Sequence, residues 1–232
     1  MDPNLIVALD FNSEKPALTL VDSIDPATCA LKVGSELFTL LGSNFVRVLT
    51  RKGFKVFLDL KFHDIPNTVA KACKVCADLG VWMLNVHASG GYDMMTAAMK
   101  ALESYHNEAP LLIAVTILTS FKETDLAAIG MHQKLIEEVL ILAKLAQTAN
   151  LDGVVCSAQE ARLIKEHCGH SFITVTPGIR IVQGDKHDQQ RIMTPSEAIS
   201  QGSDFLVMGR AITHSNNPLK IINEILRSIQ VR

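Results

Sequence analysis

Asp59-Leu60-Lys61-Phe62-His63-Asp64 sets three charges within six residues, and Ile65-Pro66-Asn67-Thr68 follows at once. Val56, Phe57 and Leu58 lead in as a buried strand. Side chains alternate between the two faces of a strand, so Asp59 and Lys61 are expected to point the same way. A lone Asp-x-Lys serves equally well as an ion pair that holds a strand in register. Asp64 shifts that balance. It lies past the strand end in a Pro-Asn-Thr turn, from which a loop residue can return to the same mouth. The outcome is an acid-base-acid array around one ammonium.

The elements that position these residues follow from the apolar pattern. Eight apolar runs are too short for helices: Leu5–Leu9, Ala30–Val33, Val56–Leu60, Trp82–Val86, Leu111–Leu118, Gly153–Cys156, Phe172–Val175 and Phe205–Met208. Near-continuous Val, Ile and Leu content marks strands covered on both faces, and strand-helix alternation implies parallel pairing. Helical stretches intervene, among them 69–79 and 135–146. Ser157–Glu160 and Thr194–Glu197 have capping-box spacing, and Gly169 and Gly202 mark helix ends. An open doubly wound sheet fits the same alternation, but no Gly-x-Gly-x-x-Gly or Gly-Lys-Ser/Thr follows any run. The predicted fold is a single (β/α)8 barrel forming one domain over residues 1–232.

Chemistry in such barrels lies at the carboxyl ends of the strands. Those ends present Asp10, Lys32, Asp59 with Lys61 and Asp64, His87, and Thr116, Thr119 and Ser120. Strand seven ends in Thr176-Pro177-Gly178-Ile179-Arg180 and strand eight in Gly209-Arg210. The joint position of Arg180 and Arg210 after strands seven and eight points to a phosphate, hence to a phosphorylated small molecule. Residues 181–193 are long for a barrel loop and read as a lid, with Gln189 closing on phosphate. His63 and His87 read as structural residues.

Composition sets the remaining bounds. The 232 residues are 48% hydrophobic and 20% charged with a formal net charge of −2, so no electrostatic footprint for nucleic acid exists. No apolar run approaches the ~18 residues of a membrane span, and Met1-Asp2-Pro3-Asn4 lacks the basic start of a signal peptide. Cys29, Cys73, Cys76, Cys156 and Cys168 are odd in number and scattered, as reduced cytoplasmic thiols are. Cys73-x-x-Cys76 falls in a helical stretch with no second pair at zinc spacing, so no metal is expected there.

These motifs resemble those of orotidine 5′-monophosphate decarboxylases of the bacterial type, across essentially the whole chain. The matching segments are Val7–Asp10, Leu31–Gly34, Asp59–Thr68, Val86–Gly91, Leu118–Ser120, Thr176–Arg180 and Met208–Arg210. The ten-residue run is highly specific; the Gly-Gly and Gly-Arg pieces are weak alone. The resemblance implies conversion of orotidine 5′-monophosphate to uridine 5′-monophosphate and carbon dioxide, without metal or organic cofactor. It implies that Lys61 donates a proton to carbon 6 of the pyrimidine, that Asp59 faces the departing carboxylate, and that Lys32 and Asp10 bind the ribose hydroxyls and complete a charge network with Lys61 and Asp64. Thr119 matches the contact to the ring, and Arg180, Gln189, the Gly209 amide and Arg210 match the phosphate site. Asp64 and Thr68 would reach in from the other subunit of a homodimer.

Two other readings remain open at this point. A metal-dependent sugar-phosphate decarboxylase or synthase on a related barrel shares Asp-x-Lys-x-x-Asp, but carries an acidic metal ligand in the place of Lys32. A non-catalytic nucleotide-binding module would have no use for a full charge array.

Overall fold

Runs of Val, Ile and Leu bounded by polar turns can bury both faces only inside a covered sheet, and this chain covers it by closing the sheet on itself. The computed structural model describes residues 3–181 and 193–230. Its strands are β1 (Leu5–Ala8), β2 (Ala30–Gly34), β3 (Val56–Phe62), β4 (Met83–His87), β5 (Leu111–Val115), β6 (Gly153–Val155), β7 (Ile173–Thr176) and β8 (Phe205–Met208). They pair in chain order, all parallel, and β8 pairs with β1 to close the barrel.

The α-helices among the described residues are α1 (Glu14–Ser23), α2 (Ser35–Arg51), α3 (Pro66–Asp78), α4 (Tyr92–Leu102), α5 (Glu123–Ala128), α6 (Leu135–Thr148), α7 (Ala161–Cys168), α8 (Pro195–Ser200), α9 (Arg210–Thr213) and α10 (Pro218–Gln230). Helix α8 starts as its sequence predicts: the Glu197 amide donates to Thr194 Oγ1, the Glu197 carboxylate accepts from the Thr194 amide, and Pro195 occupies the first turn. The other predicted box sits one turn ahead of its helix. The Ser157 amide donates to the Glu160 carboxylate at 2.8 Å, but Ala158–Glu160 form a turn and α7 begins at Ala161. Helix α3 begins at Pro66, ahead of residue 69, because its polar first turn shows no apolar period. Strand β5 stops at Val115, short of Leu118, and Ile117 and Leu118 instead face the cavity described below.

Period-two alternation divides the interior in two. Ile6, Ala8, Ala30, Phe57, Met83, Ile113, Val175, Phe205 and Val207 fill the barrel. The intervening residues, such as Leu31, Leu58 and Leu84, pack outward against Leu49, Cys73 and Met95 on the helices. Cys73 and Cys76 belong to that outer core, and burial pushes both thiols up to about 12, as an inert helix face requires.

One strand breaks the regular pattern. Strands β3 and β4 pair at Phe57–Met83 and Leu58–Leu84, and next at Phe62–Val86, so β3 advances four residues while β4 advances two. The surplus lies in Asp59–Lys61. Lys61 has φ of 53°, left-handed backbone that costs a side-chain-bearing residue about 1–2 kcal/mol.

Candidate active site

The barrel opens at the carboxyl ends of its strands into a cavity of about 730 Å³. Its position follows from the alternation. Two residues beyond the inward-facing Ala8, Ala30, Phe57 and Val207 come Asp10, Lys32, Asp59 and Gly209, and all four line the cavity. Lys61, Thr119, Arg180 and Arg210 line it as well.

The charged residues form a row. Lys32 Nζ lies 3.5 Å from Asp10 Oδ1 and 3.2 Å from Asp59 Oδ2, and Lys61 Nζ lies 2.7 Å from Asp59 Oδ1. Asp59 is 8% exposed, Asp10 open to solvent. Burial raises the Asp59 carboxyl, but the ammoniums of Lys32 and Lys61, with hydrogen bonds from Lys61 and Asn85, outweigh it and hold the carboxyl below its ordinary value. A depressed carboxyl stabilises the fold above the unfolded value of 3.8, and that contribution disappears as the pH falls through the lower folded value. In unfolding titrations, wild type and Asp59→Asn should therefore converge on acidification below about pH 4. A difference that stays constant or grows there would contradict the depressed carboxyl.

Asn85 is the residue that sequence reasoning missed. It is fully buried in β4; its Oδ1 accepts from the Lys61 amide at 2.8 Å and its Nδ2 donates to Asp59 Oδ1 at 2.7 Å. The available clue was a single amide within the apolar run Trp82–Val86. His63 and His87 stack obliquely with ring centroids 5.6 Å apart, and neither lines the cavity. Burial, then His63 and Lys61, lower the His87 imidazole, while Asp59 opposes them.

Arg180 and Arg210 stand exposed at the far side of the mouth, as the positions after β7 and β8 predict. A side chain at 209 would place its Cβ 3.1 Å from Asp10 Oδ2 and 3.4 Å from the Ala8 Cβ, so the Asp10 carboxylate would have to shift to admit one. The Arg180 amide donates to the Met193 carbonyl at 3.3 Å, joining the two ends of the stretch expected as a lid. Gln189 and the rest of that stretch, 182–192, lie outside the described residues.

Asp64 and Thr68 are not brought into the cavity of their own chain. Residues 64–68 are all exposed, the Asp64 carboxylate accepts from the Ile65 amide at 2.6 Å, and among the described residues Lys61 makes its ion pair with Asp59. An array closed by Asp64 within one chain is therefore not formed. The turn that starts α3 carries Asp64 outward instead, where it caps its neighbour's amide.

Among the described residues, no group of three or more His, Cys, Asp or Glu side chains is placed to hold a metal ion, and no helix is long and apolar enough to cross a membrane.

Known proteins share this architecture and sequence. Over 229 residues the chain is 60% identical to the orotidine 5′-phosphate decarboxylase of Legionella pneumophila strain Paris, covering 99% of this chain and all of that one. It is 58% identical over 228 residues to the orotidine 5′-phosphate decarboxylase of Vibrio cholerae, covering 98% of this chain and 99% of that one. The crystal structure of orotidine 5′-phosphate decarboxylase from Lactobacillus acidophilus superposes with a TM-score of 0.89 at 37% identity, over 99% of this chain and 100% of that one. The model of the orotidine 5′-phosphate decarboxylase / HUMPS family matches residues 3–225, and the chain belongs to that family.

Proposed function

We propose that the protein converts orotidine 5′-monophosphate to uridine 5′-monophosphate and carbon dioxide, the closing step of de novo uridine monophosphate synthesis, as a carboxy-lyase that uses no metal or organic cofactor. The barrel of residues 1–232 acts as one catalytic domain, in the cytoplasm, on a small molecule and not on nucleic acid or membrane. The observation that carries this reading is the row Asp10–Lys32–Asp59–Lys61 in the cavity of a chain of this family.

Loss of carbon dioxide leaves an electron pair on carbon 6 of the pyrimidine, which has no adjacent carbonyl to delocalise it. Fixed positive charge must stand at that carbon. Lys61 supplies it: the bond to the carboxylate breaks, its electron pair stays on carbon 6, and a proton from Lys61 Nζ forms the new C–H bond. Solvent then returns a proton to the amine. Asp59 faces the carboxylate before it leaves and opposes it by like charge, a repulsion absent once carbon dioxide has formed. Lys32 and Asp10 hold the ribose hydroxyls, Thr119 the pyrimidine ring, and Arg180, Gln189, the Gly209 amide and Arg210 the phosphate. Lys32 also weighs against the metal-dependent alternative, because an ammonium fills the space between two carboxylates where a cation would have to bind.

The working assembly is a homodimer in which Asp64 and Thr68 enter the partner's cavity. Their outward placement supports this, as does Ile65, an apolar side chain 67% exposed between them.

Enzymes lower barriers by ~8–23 kcal/mol and one preorganised donor accounts for only ~3–4, so binding at the phosphate has to help orient the ring. The test is the fall in orotidine 5′-monophosphate absorbance with and without chelator, in wild type and Arg210→Ala. Wild type should turn over in both conditions. Arg210→Ala should lose roughly 10- to 100-fold in kcat/KM on the phosphorylated substrate and far less on orotidine, which lacks the charge-assisted contact. Loss of activity with chelator overturns the cofactor-free reading, and equal losses on both substrates remove Arg210 from the phosphate site.

A further inference from the structure

We infer that Asn85 is a positioning residue for the reaction, a two-sided clamp that sets the geometry of the Asp59–Lys61 pair. The inference rests on the proposed decarboxylation at Lys61.

Three observations meet at this side chain. Lys61 is the one residue of a described strand, glycine aside, with left-handed backbone, and it sits where β3 gains two residues on β4. Asn85 Oδ1 takes the Lys61 N–H at 2.8 Å, and Nδ2 donates to Asp59 Oδ1 at 2.7 Å. That same oxygen receives Lys61 Nζ, also at 2.7 Å. One amide therefore grips the backbone of the proposed proton donor and the carboxylate its ammonium rests on. The amide orientation is forced, because a backbone N–H only donates and an ionised carboxylate only accepts. With Oδ1 occupied by Asn85 and Lys61, Asp59 turns Oδ2 toward Lys32.

The position is buried and does not line the cavity, so Asn85 acts through Lys61 and Asp59 and not on substrate. Few side chains can replace it. Alanine leaves the part-buried Lys61 N–H without its acceptor and takes from Asp59 Oδ1 one of its two donors, the other being Lys61 Nζ. Aspartate keeps the acceptor for Lys61 but, when ionised, sets a second carboxylate against Asp59; once protonated it can donate again. The titratable groups around it are Asp59 and Lys61 on β3, Lys32 behind Asp59, and His87 two residues along β4, paired with His63; its neighbour on β5, Ile113, is apolar.

The experiment compares wild type, Asn85→Ala and Asn85→Asp for orotidine 5′-monophosphate turnover, uridine 5′-monophosphate affinity and thermal unfolding. Folded Asn85→Ala should lose roughly 10- to 100-fold in kcat with product affinity changed less than about threefold, because the phosphate and ribose contacts lie on other strands. Asn85→Asp should recover toward wild type as the pH is lowered, since only its protonated form restores both bonds, and it decides the matter if the alanine variant does not fold. Unchanged kcat in folded Asn85→Ala, or an Asn85→Asp profile parallel to wild type, overturns the positioning role. A wild type without turnover would strike the decarboxylase reading itself, which keeps the two failures distinct.

Discussion

Lys61→Ala should abolish turnover of orotidine 5′-monophosphate while the protein still folds and still binds uridine 5′-monophosphate. The ammonium is needed chiefly once the electron pair appears on carbon 6, so its removal weakens the transition state far more than the product complex. Loss of a general acid costs about 10²–10⁴-fold, and loss of a preorganised charge at the same atom adds to it, so a fall of at least ~10⁴-fold in kcat is expected. The rest of the row should survive. Asp59 keeps Lys32 at 3.2 Å and Asn85 at 2.7 Å, and the ribose and phosphate contacts lie elsewhere. Single-turnover measurement with isotope-labelled substrate, beside a titration with product, separates the two effects. Turnover retained above about a tenth of wild type would remove Lys61 from the chemical step.

How far this site was legible depended on whether a residue obeys a local rule. The barrel was visible because each of its strands buries both faces and leaves an apolar run in the sequence. Asp10, Lys32 and Asp59 were visible because they continue the inward register of Ala8, Ala30 and Phe57 toward the carboxyl end of the barrel. Lys61 came out on the right side for an incomplete reason. Simple alternation puts it beside Asp59, but the actual path needs a left-handed residue and two surplus positions in β3, which no local pattern announces. Asn85 was hidden for a related reason, since its partners stand 24 and 26 residues away and the apolar run around it reads as plain core. Strand ends and first helical turns shifted by a few residues where polar caps interrupt the period, as at Pro66 and Ala161.

Asp64 posed a different problem: spacing can show that a carboxylate is poised near a mouth, but not whose mouth it enters. In one chain it turns away from Lys61. If it acts in the partner's site, Lys61→Ala and Asp64→Asn are each inactive as homodimers, yet a mixed dimer holds one doubly damaged site and one intact site. Mixing the two inactive proteins should therefore restore activity. With random exchange of subunits about half of the dimers are mixed and one site in each of those is whole, so about a quarter of all sites should recover, as closed twofold symmetry requires. The measurement is decarboxylation rate against mixing ratio, with subunit exchange verified independently by a size tag on one chain. If Asp64 serves its own chain, every site in the mixture carries at least one lesion and no ratio restores activity. Verified exchange without recovery would thus sink the shared site, while the row from Asp10 to Lys61, which one chain builds alone, would keep its proposed role.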